Sequence, residues 1–261
     1  MPRRVGLLLV LLAACGGSEV SGSTGAAGST GSTSAASTGA GGSASSGSSG
    51  AGGSTSACDG FLSAFGEGTY YSADGSGACG FSPPSGGGEL LVAAMNAPQY
   101  DGSNVCGMCA HIKGPQGEVT VRIVDLCPEC KHGDLDLSPD AFAHIAPLAD
   151  GRVKISWTEV RCEVVGPLVY HFKDGSNPWW TAVQIRNHRH RIAKIEAKRD
   201  NAWSSIARVD YNYFVADKGL GPGPYTLRVT DVHGHVVEDS NVPGGLDNAN
   251  APSSTQLAAC K

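Results

Sequence analysis

A tract of 42 residues, from Gly16 to Ala57, limits how much of this 261-residue chain can fold. All of its residues except Glu19 and Val20 are Gly, Ser, Thr or Ala. Such a composition buries too little apolar surface to offset the entropy lost on ordering, so residues 16–57 are expected to be a disordered linker. The foldable remainder is Cys58 to Lys261, or 204 residues. That length suits two small domains and excludes a large barrel enzyme.

The N-terminus has the layout of an export signal. Arg3 and Arg4 precede an apolar run from Val5 to Ala14, whose 10 residues fall short of the roughly 20 that a spanning helix needs. The sequence Leu12-Ala13-Ala14-Cys15 resembles a bacterial lipobox. We interpret residues 1–15 as a lipoprotein signal peptide, with Cys15 lipidated and anchoring the chain to the outer membrane or cell surface. Cleavage of an ordinary signal peptide, followed by secretion, is the alternative.

The charge distribution argues against a nucleic-acid partner. Residues 58–165 carry 6 Lys and Arg against 14 Asp and Glu, a net charge of −8, and residues 166–261 carry 11 against 9, a net charge of +2. Neither segment has the dense basic face of a nucleic-acid binder.

Eight cysteines follow the linker: Cys58, Cys79, Cys106, Cys109, Cys127, Cys130, Cys162 and Cys260. An even number in an exported chain predicts four disulfides. The alternative is zinc, because the Cys-x-x-Cys pairs at 106–109 and 127–130 are 17 residues apart, a two-knuckle spacing. We favour disulfides, since thiols oxidise outside a reducing compartment unless they are already bound to metal.

Hydrophobic periodicity predicts a mostly β structure. In the first domain, residues 118–124 and 152–157 alternate as strands do, and residues 136–147 form the clearest helix, with Ser138 as N-cap and Phe142 and Ile145 on its apolar side. The second domain alternates almost throughout, which favours a β-sandwich of about a hundred residues. Its predicted strands are 168–172, 181–186, 192–198 and 225–230.

Ordered motifs in both domains give a family resemblance. The segments Gly68-Thr-Tyr-Tyr71, Gly77-Ala-Cys-Gly80, Cys106-Gly-Met-Cys109, Val124-Asp-Leu126 and Leu135-Asp-Leu-Ser-Pro139 resemble the six-stranded double-psi barrel of the expansins. The segments Lys173 to Trp180, Gln184 to His188 and Val209 to Phe214 are similar to the expansin carbohydrate-binding domain. The resemblance implies an all-β chain: a double-psi barrel in residues 58–165, then an immunoglobulin-like, cellulose-binding β-sandwich in residues 166–261.

The same resemblance implies part of the disulfide pattern. In plant expansins, the cysteine of Gly-Ala-Cys-Gly joins the first cysteine of Cys-Gly-x-Cys, and the second joins a cysteine at the end of the barrel. The corresponding pairs here are Cys79–Cys106 and Cys109–Cys162. For the remaining four, Cys127 pairs with Cys130, or the two cross with Cys58 and Cys260.

The resemblance places a glucan-binding groove on the barrel but removes one catalytic carboxylate. Asp136 corresponds to the acid of related endoglucanases, with Asp125 and Thr69 hydrogen-bonding around it. Asp136 also has a structural alternative, because it lies close to the predicted helix N-terminus. Glycoside hydrolysis usually needs a second carboxylate. Ser72 stands where that group is expected, and Asp74 lies two residues, or about 6.6 Å of strand, further on.

One aromatic residue of the groove is also replaced. Cys127 stands where related bacterial proteins have a tyrosine. Tyr70 or Tyr71 can substitute for it, but only one of them, because adjacent strand residues face opposite ways. We take Tyr71 as the sugar-binding residue.

The second domain carries aromatic residues suited to stacking on sugar rings. Trp179, Trp180 and Tyr211 match the expansin binding platform, with Lys173 as a flanking hydrogen-bond donor. Adjacent tryptophans in a regular strand point oppositely, so joint exposure needs the break that Pro178 supplies. The other two tryptophans, Trp157 and Trp203, are read as packing residues, and the basic segment 187–191 as a solvated loop in preference to a metal or heparin site.

The sequence thus predicts a monomeric, expansin-like protein that binds cellulose or a related cell-wall polysaccharide and disrupts noncovalent glucan contacts without hydrolysis. No nucleotide, flavin or metal is expected to be needed. Two alternatives stay open. One is a lytic transglycosylase or endoglucanase acting through Asp136 on peptidoglycan or glucan, and the other is a purely adhesive cellulose-binding lipoprotein.

Overall fold

The computed structural model describes residues 61–86 and 88–260. The predicted signal peptide, Cys15, the linker and Cys58 lie outside the described residues. Within the described part of the chain, no helix combines the length and apolar character needed to cross a bilayer.

The first domain is a closed six-stranded barrel. Its strands, in chain order, are β1 (Ser63–Tyr70), β2 (Val92–Asn96), β3 (Cys109–Lys113), β4 (Glu118–Cys127), β5 (Leu135–Leu137) and β6 (Val153–Val160). They close in the order β1-β5-β2-β4-β3-β6. Two pairs, β1 with β5 and β2 with β4, are parallel, and the others are antiparallel. The barrel predicted from the family resemblance is therefore confirmed.

Local periodicity accounts for much of the barrel core. Val121 and Ile123 on β4 point into the core, as their alternation predicts. Helix α1 (Ala97–Tyr100) is short, and helix α2 (Pro139–Ile145) begins after Ser138, whose Oγ accepts a hydrogen bond from the Ala141 amide. Phe142 on α2 is fully buried. Trp157 is also buried, with its indole N–H donating to the Gly133 carbonyl at 2.9 Å, so its assignment as a packing residue is confirmed.

A bulge in β4 changes which side chains face outward. Ala93 pairs with Ile123, but the next residue, Ala94, pairs with Asp125, so Val124 is the extra residue. A β-bulge shifts the alternation by one position. Ile123 therefore stays in the core while Asp125 points away from it.

The second domain is an eight-stranded sheet folded around its own core. Its strands are β7 (Val169–Phe172), β8 (Thr181–Arg186), β9 (Ile192–Arg199), β10 (Ala202–Arg208), β11 (Phe214–Ala216), β12 (Tyr225–Asp231), β13 (Val236–Val242) and β14 (Ala249–Pro252). The order is β13-β12-β9-β10-β11-β8-β7-β14. One apolar cluster contains residues from strands near both edges of this sheet, including Phe172 of β7 and Val237 of β13, so the sheet folds over a shared core. The predicted β-sandwich is thus confirmed.

Three disulfides join described residues: Cys79–Cys106, Cys109–Cys162 and Cys127–Cys130. The first two are the pairs implied by the family resemblance. All four cysteines of the zinc-like spacing are oxidised, so the zinc alternative for them is wrong. Cys260 is also disulfide-bonded, whereas the pairing of Cys58 lies outside the described residues.

Barrel and sandwich belong to one compact unit and are joined by hydrogen bonds to main-chain oxygens. The backbone carbonyl of Cys79 accepts hydrogen bonds from two side-chain amides, that of Gln184 at 2.9 Å and that of Asn212 at 3.1 Å. The Tyr100 hydroxyl donates to the Asp210 carbonyl at 3.1 Å. Because the donors of this junction reach backbone atoms, the sandwich is fixed to the framework of the barrel.

The segment 187–191 contributes to this junction, and its prediction as a solvated loop is wrong. His188 and His190 are each only 1% exposed. A Cβ at position 107 would lie 2.4 Å from His188 Nε2, so the glycine there provides the space for the imidazole. Burial lowers the pKa of His188 to about 3 and that of His190 to about 4, and both rings are therefore neutral at pH 7.

Candidate functional site

Four neighbouring barrel strands bring the predicted groove residues into one row. Thr69 on β1 pairs with Asp136 on β5, which pairs with Ala94 on β2, which in turn pairs with Asp125 on β4. In-register residues on adjacent strands point to the same face of a sheet. The strand neighbours of Asp136 and Ala94 are core residues, namely Leu135, Leu137, Ala93 and Met95, so this row faces outward. Asp125 and Asp136 are two strands apart, about 9.5 Å between their Cα atoms.

Asp136 is half-buried and bonded to Thr69. The Thr69 hydroxyl donates to Asp136 Oδ1 at 2.5 Å. Burial raises the pKa of Asp136 above the ordinary value for an aspartate; the Thr69 hydrogen bond opposes this, and the nearby charges of Glu129 and Asp125 add to the rise. No hydrogen bond links Asp136 to helix α2 in the described structure. The Asp136 carboxyl group therefore gives up its proton less readily than an ordinary aspartate, a property that suits a general acid.

Asp136 lies in a cleft of about 400 Å³ whose wall includes Thr69 and Tyr70. Tyr70 is 37% exposed and packs on Phe142, with ring centres 5.0 Å apart. Tyr71, the residue selected from the sequence, is not among those lining this cleft. It is half-buried, and burial together with the charge of Asp125 raises the pKa of its phenol. Tyr70 is therefore the aromatic residue that a ligand in the cleft would meet.

Asp125 is occupied by backbone hydrogen bonds. Its Oδ1 accepts from the amides of Ala78 and Leu126 at 2.7 and 2.8 Å. Gly77 packs so closely that a Cβ there would lie 2.3 Å from Asp125 Cγ. Asp125 thus fixes the loop that precedes Cys79.

The cleft contains three further carboxylates that belong to none of the motifs recognised in the sequence, and two of them have partners. Glu67 accepts from Arg152 at 2.9 Å and Lys154 at 2.8 Å, hydrogen bonds that lower its pKa. Asp134 accepts from the amides of Glu67 and Lys131 at 2.8 and 3.1 Å. Their roles in the cleft wall are structural.

Glu129 is the third of these carboxylates. It is exposed on the turn closed by the Cys127–Cys130 disulfide and makes no salt bridge with any described residue. Its position between two closely spaced cysteines, in Cys-Pro-Glu-Cys, is the sequence signal that indicates a tight turn at the end of β4, beside the groove. Asp74, the base considered from the sequence, accepts from the Ser76 amide and hydroxyl at 2.8 and 2.6 Å and does not line this cleft.

A tight turn sets the orientation of the tandem tryptophans. Asn177 and Trp180 form an antiparallel bridge, with the Asn177 amide donating to the Trp180 carbonyl at 2.7 Å. Asn177 Oδ1 accepts from the amides of Trp179 and Trp180 at 2.9 and 3.1 Å. Pro178 and Trp179 are the central residues of this turn, and Pro favours its first central position. Trp179 consequently projects outward, 78% exposed, whereas Trp180 is half-buried.

A glycine packs directly behind this turn. Gly219 has a φ of 68°, and a Cβ on it would lie 2.0 Å from the Pro178 carbonyl oxygen. The Gly221 amide donates to the same oxygen at 2.9 Å. Only glycine satisfies both the positive φ and the close approach. This loop holds the turn from behind.

Tyr211 and Lys173 both contact Tyr213, a residue that was not among the predicted binding residues. Tyr211, 39% exposed, lies between β10 and β11, and its ring centre is 5.8 Å from that of Tyr213. The Lys173 ammonium group also lies near Tyr213, 5.8 Å from the centre of its ring. Tyr213 is part of the Val209–Phe214 motif, and its buried ring supports both exposed groups.

Comparisons with known proteins agree with this architecture. A sequence model of the family described as "Lytic transglycolase" matches residues 92–157. Expansin-YoaJ of Bacillus subtilis is 37% identical over 156 residues, which cover 58% of this chain and 67% of that protein. Expansin-like protein 1 of Dictyostelium discoideum is 30% identical over 181 residues, 65% of this chain and 63% of that protein.

Solved structures extend the match to both domains. The apo expansin of Clavibacter michiganensis superposes with a TM-score of 0.68 at 29% identity, covering 75% of this chain and 98% of that one. A variant of the same expansin, in complex with cellohexaose, gives a TM-score of 0.69 at 28% identity with the same coverage.

Proposed function

The chain belongs to the bacterial expansin-like proteins, and on that premise we propose that it binds cellulose or a related cell-wall polysaccharide and separates glucan chains without cleaving them. The observation that carries this proposal is the exposed indole of Trp179, held by backbone hydrogen bonds at a rigid turn. A tryptophan held in place and left 78% exposed presents a flat apolar face together with a polar N–H group, a combination enriched at binding surfaces. The relative crystallised with cellohexaose supports a glucan as the ligand.

Aromatic and polar groups would divide the work of binding. Sugar rings present C–H faces that pack on flat aromatic surfaces, a contact available to Trp179 and Tyr211. Lys173, whose ammonium group lies beside this surface, can donate to sugar hydroxyls. In the cleft, the Asp136 carboxyl group and the Thr69 hydroxyl can form hydrogen bonds with sugar hydroxyls. These hydrogen bonds would replace those that a glucan chain makes with its neighbours in the wall.

The chemistry of the cleft supports binding without turnover. Hydrolysis requires an acid and a second carboxylate held about 5 to 9.5 Å apart around the scissile bond. Oδ1 of Asp125 is held by two amides of its own neighbourhood, and Glu67 is ion-paired. Glu129 is exposed on a turn, with no described group to fix its position. Of the other carboxylates described in the cleft wall, none is both held in place and without a partner, so a base to activate water beside Asp136 is lacking there.

A second candidate function is cleavage of a glycosidic bond with Asp136 as the acid. The raised pKa of Asp136 favours it, as does the description of the matching barrel family. In a lytic transglycosylase the substrate's own hydroxyl attacks, so one acid suffices, whereas in an endoglucanase Glu129 would have to serve as the base.

Product analysis separates these functions. We expect no soluble sugars from cellulose and no anhydro products from peptidoglycan, together with increased extension of plant walls under constant load. Asp136→Asn should abolish the extension while leaving cellulose binding intact. Products that disappear in both Asp136→Asn and Glu129→Gln would establish hydrolysis, and products lost only in Asp136→Asn would establish transglycosylation. If Asp136→Asn extends plant walls as much as the wild type does, the groove has no part in loosening and the protein is purely adhesive.

We also propose that the protein acts outside the cytoplasm as a monomer, tethered through lipid on Cys15. The three disulfides of the barrel support an oxidising compartment. Cys15 lies outside the described residues and is supported by the lipobox-like sequence alone. Labelling with palmitate in a bacterial host should be lost in Cys15→Ser, and labelling that persists would refute the anchor.

A further inference from the structure

A group of histidines at the junction of barrel and sandwich is used by none of the functions above. His190 lies between β8 and β9, Asp231 is the last residue of β12, and His233 and His235 lie in the turn between β12 and β13. Both His190 and Asp231 are almost fully buried. The ring centres of the three histidines are 4.8, 5.9 and 6.2 Å apart.

These spacings approach those of imidazoles that share one metal ion. With Zn–N bonds of about 2.0–2.1 Å in tetrahedral geometry, the ring centres of two ligands lie about 5 Å apart. One possible donor atom from each of His190, Asp231 and His235 lies within 4.8 Å of the others. His233 belongs to a second such group with His190 and Cys260. Because Cys260 is disulfide-bonded, its sulfur is not a thiolate and is left out of the ligand set.

The surroundings of the group resemble the outer shell of a metal site. The Asp231 carboxylate pairs with His235 Nδ1 at 2.8 Å, which leaves Nε2 of that ring available as a ligand. A carboxylate behind an imidazole orients metal-bound histidines and increases their basicity. The other carboxylate oxygen accepts from the amides of His233 and His235 at 2.9 and 2.8 Å, so the turn is preformed.

A buried nitrogen points to a missing ligand. His190 Nδ1 is shielded from solvent and has no hydrogen-bond partner in the structure. An unsatisfied buried polar atom costs free energy, and a metal ion would satisfy it. His190 Nε2, on the other side of the ring, contacts Cys260 Sγ at 3.4 Å. The unpartnered atom is therefore the one free to bind.

We propose that His190 and His235 bind a divalent transition metal such as Zn²⁺, with His233 beside them as a third candidate ligand and Asp231 orienting His235 from behind. Imidazole donors suit Zn²⁺ better than Ca²⁺ or Mg²⁺, which take oxygen ligands. The site would link the β8–β9 and β12–β13 turns where they meet the barrel. This proposal departs from the expectation that the protein needs no metal, and it does not depend on the activity of the cleft.

Equilibrium dialysis of the metal-free, untagged full chain against Zn²⁺ tests the proposal. We expect one equivalent to bind, with affinity at least tenfold weaker in His235→Asn, whose side chain is partly exposed and tolerates exchange. His132→Asn is the matched control, because this exposed histidine of the barrel lies outside the group. Co²⁺ in place of Zn²⁺ should give the visible absorption of a tetrahedral complex, lost in His235→Asn.

Stability gives an independent measure. Zn²⁺ at a hundredfold excess over its dissociation constant should raise the melting temperature of the wild type by about 5–10 °C. The rise should vanish in His190→Asn and persist in the His132→Asn control. If the wild type binds no Zn²⁺, or if His235→Asn binds it as tightly, the group is only a packed array of imidazoles and the proposal is refuted.

Discussion

Replacing Trp179 with alanine should remove cellulose binding while sparing the fold. A tryptophan side chain presents about 250 Å² of surface. Since this one is 78% exposed, folding buries only about 55 Å² of it, worth about 1.4 kcal/mol at 25 cal/mol per Å². Stacking one face on a glucan would bury about 100 Å² more, worth about 2.5 kcal/mol. Binding should therefore weaken roughly 60-fold.

The assay is depletion of protein from solution by microcrystalline cellulose, measured over a range of concentrations. Trp203→Ala is the matched control. That indole is half-buried, with the Arg228 guanidinium 4.2 Å from its ring centre and the Lys198 ammonium 5.7 Å away. Its loss should lower the melting temperature without changing the binding isotherm.

Two results would refute this reasoning. If Trp179→Ala binds cellulose like the wild type, the exposed ring is not part of the binding surface. If instead both tryptophan variants lose binding equally, the effect comes from the sandwich as a whole and the assignment of its binding face is wrong.

Three further substitutions test other parts of the structure. Burial raises the pKa of Asp136, so this residue costs the folded protein stability as pH rises and its carboxyl group ionises. Asp136→Asn should therefore raise the melting temperature at pH 7 and give little gain near pH 3. Gly219→Ala places a Cβ against the Pro178 carbonyl, and urea unfolding should show a loss of about 1–3 kcal/mol together with weaker cellulose binding. Burial tends to raise the pKa of Asp239, but hydrogen bonds led by that of Ser253 outweigh it and hold the pKa below the ordinary value. Asp239→Asn should therefore cost about 1.5–3 kcal/mol at pH 6, and the difference from wild type should shrink as pH falls below about 4.

Local patterns were enough to predict the elements that local interactions determine. Ser138, Phe142 and Ile145 mark both the cap and the buried side of helix α2, because these signals lie within eight consecutive residues. The alternation in β4 likewise predicts its inward residues as far as Ile123. Fold and family followed from motifs spread over both domains.

Features that depend on distant residues could not be read in this way. The bulge at Val124 turns Asp125 outward only because of how β4 pairs with β2. The burial of His188 depends on Gly107, 81 positions earlier in the chain, and nothing near the histidine indicates it. Glu129 reaches the cleft because the Cys127–Cys130 bond closes its turn. Each case is a tertiary constraint without a local sequence signal.

The attachment of the sandwich to the Cys79 carbonyl bears on how force passes through the protein. Cys79 is tied by its disulfide to the barrel, and its carbonyl is held by two amides of the sandwich. Such a joint has little slack, so the tryptophan turn and the groove should keep a fixed separation. With the proposed binding of glucan, a load on a fibre held at the turn would therefore reach the groove without being taken up by bending between the two domains.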